Sequence, residues 1–162
     1  PKLVHVLDGG LKKWKLDNKR TTKKLPDLKK SKYIAYTNDH LVKNKDDIDK
    51  NVSLKKFIVI DARSRGRFEG KEPEPRKNTK SGSIPDSLCL PFKELINQDG
   101  TFIDSDKIIE KFKSTKSDLK ENVVFSCGSG VTASVLALAY SFINTKYNPI
   151  IYDGSWSEYG KI

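Results

Sequence analysis

Residues 123–144 read VVFSCGSGVTASVLALAYSFIN, and this stretch decides the fold. Val123–Ser126 is short, apolar and β-branched, which is typical of a strand buried in a parallel sheet. From Val131 to Ile143 the chain is apolar nearly all round, which predicts a buried helix. Between them lies a six-residue loop that begins with a cysteine and contains two glycines. The stretch therefore predicts a strand–loop–helix unit with Cys127 at the start of its loop.

The composition of this loop suits the binding of an anion. Gly128 and Gly130 allow successive amide N–H groups to point into one small bowl. The N-terminus of the following helix adds about half a positive charge. Cysteines at helix N-termini have pKa values of roughly 3.5–7.5, against about 8.5 for an ordinary thiol. We therefore expect Cys127 to be a nucleophile, with hydroxyl donors from Ser129 and Thr132 near its thiolate or near a sulfur attached to it.

Two other interpretations of the loop are open. One is a small buried cysteine in a purely structural turn. The other is a cysteine-dependent phosphatase, which also uses a strand–loop–helix but needs Cys-(x)5-Arg so that the arginine holds the phosphate. The sixth residue after Cys127 is Ala133 and the next is Ser134, so this arginine is missing. A tetrahedral phosphate would be held poorly there, whereas a single extra sulfur atom would fit.

Arginine is rare in this chain and clustered. There are 26 lysines and five arginines, and four of the five arginines lie between residues 63 and 76. The segment Phe57–Asp61, FIVID, predicts a buried strand, so the cluster emerges at the strand's carboxyl end, where open α/β sheets place their ligands. Arg67 and Arg76 are candidates for bidentate binding of a carboxylate.

The other two arginines of the cluster have competing interpretations. For Arg63, pairing with Asp61 to brace the loop and contact with a ligand are both open. We expect Arg65 to form a surface salt bridge with a nearby glutamate. Three glutamates are close to it in sequence: Glu69, Glu72 and Glu74.

Five motifs together resemble the two-domain rhodanese-like sulfurtransferases, and among them the members that use 3-mercaptopyruvate. The motifs are DARSRGRFEG (61–70), EPEPR (72–76), SGSIPDSLCLPF (81–92), CGSGVTA (127–133) and YDGSWSEYG (152–160). The resemblance covers roughly residues 55–160 and the first fourteen residues.

The resemblance implies roles for the loop and for two of the arginines. In this family the loop cysteine takes sulfur from a donor and becomes a persulfide, so Cys127 is implied as the nucleophile and Ser129 as the loop serine that assists it. The arginines that hold the substrate carboxylate match Arg67 and Arg76. The remaining loop residues implied to surround the substrate are Gly128, Gly130, Val131 and Thr132.

Two positions distinguish this chain within the family. Members that prefer thiosulfate usually carry basic residues just after the cysteine, whereas Gly128 and Ser129 are small and neutral here. This difference favours 3-mercaptopyruvate as the donor. Ser83 stands where the family often has the histidine of Gly-His-Ile-Pro-Gly, and we expect that histidine to have a structural role only.

The leading hypothesis is transfer of sulfane sulfur from 3-mercaptopyruvate, through a persulfide on Cys127, to a small thiol, a thioredoxin-like protein or cyanide. Alternatives are thiosulfate as the donor, a relay of the persulfide sulfur to a protein acceptor, for example towards tRNA thiolation, and a non-catalytic interaction module. We expect no cofactor, and a cytoplasmic or mitochondrial location.

The two ends of the chain repeat one pattern. Residues 3–14, LVHVLDGGLKKW, and residues 149–160, PIIYDGSWSEYG, each show an apolar strand, then Asp-Gly, then an aromatic residue. We therefore interpret residues 1–16 as the tail of a preceding rhodanese-like domain, 17–32 as a lysine-rich linker and 33–162 as the catalytic domain. On this interpretation the sequence is part of a longer protein, and its own N-terminal domain is an expected partner.

The pattern of elements predicts an α/β rhodanese-like domain, with a parallel sheet flanked by helices on both faces. The other predicted elements are a helix near Asn38–Lys45, a strand at Ser87–Leu90, a short helix at Phe92–Ile96, a turn at Asn97–Gly100, a helix from Asp104 or Ser105 through Phe112, and a strand at Ile150–Tyr152.

Composition argues against several other classes of protein. The formal net charge of +10 comes without a basic stripe interleaved with aromatic residues, so we expect no nucleic-acid partner. No apolar run of about eighteen residues occurs, so we expect no membrane span. His5 and His40 are isolated, and no spacing indicates a metal site. Cys89 lies in an apolar strand and is interpreted as a core residue rather than a disulfide partner of Cys127.

Overall fold

The computed structural model describes residues 4–115 and 122–162, and within them a single five-stranded sheet. The strands are β1 (Val42–Lys43), β2 (Ile58–Asp61), β3 (Leu88–Cys89), β4 (Val123–Ser126) and β5 (Ile151–Tyr152). Their order across the sheet is β1-β5-β4-β2-β3, and every neighbouring pair is parallel. The two longest strands, β2 and β4, lie side by side near its centre.

Helices cover both faces of this sheet. They are α1 (Gly10–Leu16), α2 (Lys45–Leu54), α3 (Arg65–Phe68), α4 (Ser105–Ser114), α5 (Ala133–Ile143) and α6 (Ser155–Tyr159), with 3₁₀ turns at Asp39–Leu41 and Phe92–Leu95. Helices α4 and α5 pack on one face, and α2 and α6 pack on the other. The predicted fold class is confirmed. Across residues 4–115 and 122–162, no helix combines the length and apolar character needed to cross a membrane.

The sheet separates two apolar cores, and β4 contributes to both. Val123 and Phe125 face α4 and α5, whereas Val124 faces α2 and α6. On the α5 side, the rings of Phe112, Phe125 and Tyr140 pack edge to face, with centroids 5.0, 5.8 and 6.1 Å apart. Burial on both faces explains why the strand is an apolar run rather than an alternating one.

The pairing of β2 with β4 places the two predicted functional segments at one edge of the sheet. Asp61, the last residue of β2, lies opposite Ser126, the last residue of β4. The arginine-bearing segment after β2 and the cysteine loop after β4 therefore leave the sheet side by side.

The helix predicted near Asn38–Lys45 is wrong. The chain forms the short 3₁₀ turn and strand β1 there, and α2 begins only at Lys45. The reason is a capping box: the Asn44 side chain accepts from the N–H of Asp47 at 2.9 Å, and the Asp47 carboxylate accepts from the N–H of Asn44 at 3.2 Å. The other predicted helices and strands are present, most with ends shifted by one to three residues.

The N-terminal segment differs from its prediction. Residues 4–7 form no strand, and residues 1–3 lie outside the described part of the chain. Both Asp-Gly turns are followed by a short helix, α1 after Asp8-Gly9 and α6 after Asp153-Gly154. Residues 17–32 contain no helix or strand and are exposed. The interpretation of these N-terminal residues as a domain tail and a linker stays a prediction.

Candidate active site

Cys127 follows β4 directly and is buried, with 2% of its surface exposed. Its Sγ accepts a hydrogen bond from the backbone N–H of Ser129 at 3.4 Å. The loop then leads into the N-terminus of α5 at Ala133. This arrangement suits an anionic sulfur, because Sγ accepts from a backbone donor and the loop runs into the positive end of a helix dipole.

A buried serine on a separate segment holds the loop in place. Ser155 Oγ accepts hydrogen bonds from the N–H of Cys127 at 3.1 Å and of Gly130 at 3.0 Å, and it donates to the Tyr152 carbonyl at 2.8 Å. The expectation that the loop amides point into an anion bowl is wrong for the amide of Gly130, because this amide donates to Ser155 Oγ.

The backbone around the start of α6 completes this support. The N–H of Trp156 donates to the Cys127 carbonyl and that of Ser157 to the Gly128 carbonyl, both at 2.9 Å. The segment YDGSWSEYG was interpreted from its sequence only as a family motif and a domain ending, and its contact with the loop was not predicted. The signal that could have found it is a small polar residue just after β5, the strand beside β4.

Gly130 is required by a close approach of the chain. Its φ is +78°, a conformation that disfavours side chains, and a β-carbon there would lie 2.8 Å from Asp153 Oδ1 and 3.0 Å from the Asp153 carbonyl oxygen. The loop therefore packs against the Asp153-Gly154 turn with no room for a side chain.

The two predicted carboxylate-binding arginines meet at the residue that follows the cysteine. A β-carbon at Gly128 would lie 3.1 Å from Arg67 Nη2 and 3.5 Å from Arg76 Nη1. Arg76 Nη1 also donates to the Gly128 carbonyl at 3.4 Å. The structure thus brings two guanidinium groups together beside the Cys127 loop, where they can hold a carboxylate between them.

Arg67 is fixed from behind by a carboxylate. It lies in α3, where its N–H bonds to Ser64 Oγ at the helix N-cap. Its Nε donates to Glu74 Oε1 at 3.1 Å, and its Nη2 donates to Glu74 Oε2 at 2.6 Å. The hydrogen bond to Glu74 raises the pKa of Arg67. Burial raises the pKa of Glu74, but the hydrogen bond from Arg67 and the nearby guanidinium charges outweigh burial and keep that pKa below its ordinary value.

Arg63 is a structural residue. Its guanidinium pairs with both oxygens of Asp61 and with Glu74 Oε1, donates to the Gly82 carbonyl at 2.8 Å, and lies 4.7 Å from the ring centroid of Trp156. The side chain is buried. Of the two alternatives, pairing with Asp61 is therefore the one observed. Arg65 forms a surface salt bridge as expected, but its partner is Glu94, at 2.9 Å.

The other predicted loop residues occupy different environments. Ser129 contributes its backbone N–H to Sγ, whereas Val131 is 73% exposed. Thr132 lines a cavity of about 280 Å³ that also touches Arg67 and Phe92. A cavity of this size beside Arg67 has room for a small organic acid.

Cys89 differs chemically from Cys127. Burial, together with the nearby charge of Asp61, raises the pKa of its thiol to about 11. The thiol donates a weak hydrogen bond to the Arg63 carbonyl at 3.7 Å. Within the described part of the chain, no group of His, Cys, Asp and Glu side chains is arranged to hold a metal ion.

Comparison with known proteins places these features in a family. A model of the rhodanese-like domain matches residues 44–161. The 3-mercaptopyruvate sulfurtransferase of Mus musculus is 36% identical over 156 residues, which are 96% of this chain and 52% of that protein. The protein named thiosulfate/3-mercaptopyruvate sulfurtransferase 1, mitochondrial, of Arabidopsis thaliana is 38% identical over 120 residues, covering 74% of this chain and 31% of that one.

A solved structure shows the same likeness. The crystal structure of SseA from Escherichia coli, described with the rhodanese fold of 3-mercaptopyruvate sulfotransferases, aligns with a TM-score of 0.73 and 30% identity. The alignment covers 90% of this chain and 53% of SseA. The chain therefore spans about half the length of the mouse relative and of SseA.

Proposed function

The chain belongs to the rhodanese-like domain family, and on this premise we propose that it transfers sulfane sulfur from 3-mercaptopyruvate to a thiol acceptor through a persulfide on Cys127. The observation that carries the proposal is the meeting of Arg67 and Arg76 at Gly128, directly after a buried cysteine. This geometry suits a small donor that has a carboxylate at one end and a sulfur at the other. The names of relatives support the same donor.

In the first half of the reaction, the thiolate of Cys127 attacks the sulfur of 3-mercaptopyruvate. A sulfur–sulfur bond forms and the donor's carbon–sulfur bond breaks. Its electron pair leaves on carbon as the enolate of pyruvate, which takes up a proton to give pyruvate. Arg67 and Arg76 hold the donor carboxylate, so the sulfur of the donor is kept next to Sγ of Cys127.

In the second half, an acceptor thiolate attacks the outer sulfur and Cys127 leaves as a thiolate. The acceptor is a small thiol or a thioredoxin-like protein, and cyanide can replace it in an assay. The Ser129 amide and hydroxyl stabilise the persulfide. Gly128, Gly130, Val131 and Thr132 line its surroundings, with the two glycines giving the backbone its close approach.

The direct test is the intact mass of the protein after incubation with 3-mercaptopyruvate and desalting. We expect a gain of one sulfur in the wild-type chain and in Cys89→Ser, and no gain in Cys127→Ser. A parallel incubation with thiosulfate determines the donor class. A gain that persists in Cys127→Ser, or no gain with either donor, would contradict the proposal for this chain.

Kinetics test the role of the second arginine. In Arg76→Ala we expect a higher KM for 3-mercaptopyruvate, since one of the two groups that hold the carboxylate is lost. Arg65→Ala is a suitable control, because Arg65 pairs with Glu94 on the surface. An unchanged KM in Arg76→Ala would remove Arg76 from the proposed site.

Thiosulfate is the second candidate donor, because the Arabidopsis relative is named for both substrates. The mass experiment separates the two donors because each is incubated with the chain separately.

The proposal has three further parts: a cytoplasmic or mitochondrial location, a preceding rhodanese-like domain as partner, and a protein acceptor that receives the persulfide sulfur. Transfer to a protein acceptor would show as fast loss of the added mass with that acceptor and slow loss with small thiols.

A further inference from the structure

Glu74 is a buried carboxylate shared by two arginines. Its side chain is 2% exposed. Oε1 accepts from Arg63 Nη1 at 2.7 Å and from Arg67 Nε at 3.1 Å, and Oε2 accepts from Arg67 Nη2 at 2.6 Å. Both oxygens are therefore engaged by positively charged donors, in bonds of the strong, charge-assisted kind.

The first of these arginines cannot turn towards a substrate. Arg63 is held by Asp61, by the Gly82 carbonyl and by the ring of Trp156, and its side chain is 1% exposed. Because Arg63 is fixed in this way, its hydrogen bond to Glu74 also fixes the position of the Glu74 carboxylate.

The second arginine has a different status. The side chain of Arg67 is 24% exposed, so it would sample several rotamers if nothing held it. A guanidinium has five N–H donors in a planar fork. Glu74 binds the edge formed by Nε and Nη2, which leaves Nη1 and the second hydrogen of Nη2 at the other edge. Nη2 belongs to both edges and would lie 3.1 Å from a β-carbon at Gly128, so the free edge begins beside the cysteine loop.

We propose that Glu74 is a positioning residue for Arg67, which it holds with one guanidinium edge towards the carboxylate of the donor beside Cys127. Arg63 serves to immobilise Glu74 and does not touch the donor. This inference rests on the proposed function, because it assigns Arg67 to the binding of a carboxylate. If Glu74 acts in this way, the specificity for a donor with a carboxylate depends partly on the motif EPEPR, through a residue that does not contact the donor.

Alkylation of Cys127 tests this inference without sulfur transfer. Iodoacetate carries a carboxylate and iodoacetamide is its neutral analogue, so the ratio of their rates on the Cys127 peptide measures how well a carboxylate is held next to Sγ. Glu74→Gln removes the charge and replaces one acceptor by a donor. We expect the ratio to fall by about tenfold, the factor that corresponds to one lost charge-assisted hydrogen bond.

Two further variants separate positioning from other effects. Glu74→Asp keeps the charge but shortens the side chain, so we expect a smaller fall in the ratio. Glu94→Gln is the matched control, because Glu94 also bridges two cations, Arg65 and Lys111, and neither of them belongs to the proposed site. Its ratio should equal that of the wild type. If Glu74→Gln does not fold, as judged by circular dichroism, the comparison rests on Glu74→Asp.

The outcomes distinguish the possible roles of Glu74. An unchanged ratio in a folded Glu74 variant would overturn the proposal and leave Glu74 with a structural role only. A higher ratio in Glu74→Gln would also overturn it, since it would show that Glu74 merely screens positive charge. If the wild type itself shows no preference for iodoacetate, the proposed carboxylate site fails as well, which separates that failure from the failure of Glu74 alone.

Discussion

Ser155→Ala should loosen the cysteine loop and destabilise the whole domain. The hydroxyl of Ser155 is fully buried and makes three hydrogen bonds: it accepts from the N–H of Cys127 and of Gly130, and it donates to the Tyr152 carbonyl. Alanine removes all three without filling the space with another polar atom. Two buried donors and one buried acceptor then lack these partners.

The size of the effect follows from the number of orphaned groups. A buried polar group left without its partner costs about 1–3 kcal/mol, and part of this cost is recovered if the loop shifts. We therefore expect the free energy of unfolding to fall by about 3 kcal/mol. For a chain of this length, that corresponds to a decrease in Tm of about 6–12 °C.

Two control variants sharpen this prediction. Ser155 has a φ of +49°, so Ser155→Gly loses the same hydroxyl but relieves about 1 kcal/mol of backbone strain relative to alanine. Ser157→Ala removes a half-buried hydroxyl that donates only to the Gly154 carbonyl, and it should cost about 1 kcal/mol or less. Urea denaturation of the three variants measures these differences. A Ser155→Ala variant as stable as Ser157→Ala would refute the reasoning that Ser155 braces the loop.

Three other predictions concern the thiols, the loop backbone and pH. At pH 8, an alkylating reagent should modify Cys127 and leave Cys89 intact, because a pKa of about 11 keeps only about one Cys89 thiol in a thousand ionised. Equal labelling of the two cysteines in peptide mass spectra would contradict this. Gly130→Ala should lower the free energy of unfolding by about 2 kcal/mol or more, because residue 130 has a left-handed backbone and the new β-carbon would approach Asp153. Urea denaturation measures this loss, and a change below about 0.5 kcal/mol would contradict the prediction. The pKa of Glu74 is lower in the folded than in the unfolded chain, so the ionised carboxylate stabilises the fold above about pH 4.3, and this contribution is lost as the pH falls through the folded pKa. The difference in free energy of unfolding between wild type and Glu74→Gln should therefore shrink between pH 7 and pH 3. A constant difference would be inconsistent with this linkage.

The strand–loop–helix around Cys127 was predictable because each of its parts has a local signal. The apolar run before Cys127 requires burial on both faces, and the apolar stretch after Thr132 requires a buried helix. The positions of Arg67 and Arg76 beside the loop followed from one rule, that the carboxyl ends of parallel strands meet at the same edge of a sheet. These inferences depend on patterns that span a few residues or on general topology.

The supports of the site could not be predicted in the same way. Ser155 is 28 residues from Cys127 in sequence. Its place just after β5 indicates that it lies near the loop, but not that its hydroxyl bonds to two loop amides. Glu74 was one of three glutamates considered as surface salt-bridge partners, yet its side chain is buried. Whether Arg63 pairs with Asp61 or contacts a ligand depends on which groups surround it in the fold, and the structure shows a buried side chain paired with Asp61. The helix wrongly predicted near residue 40 is a different case, because the capping pair of Asn44 and Asp47 is a local signal that the helix begins at Lys45.

We expect the charges around Cys127 to favour a donor with a single negative charge. Arg63 and Arg67 pair with the carboxylates of Asp61 and Glu74. Arg76 donates to the Gly128 carbonyl and adds one further positive charge beside the loop. A thiolate formed on the loop cysteine would balance this charge. The carboxylate of 3-mercaptopyruvate then adds one negative charge, whereas thiosulfate adds two. Under the proposed function, thiosulfate therefore brings one more negative charge than 3-mercaptopyruvate next to the Cys127 thiolate, and like charges at short range repel. We expect the α-keto acid to be the preferred donor for this reason.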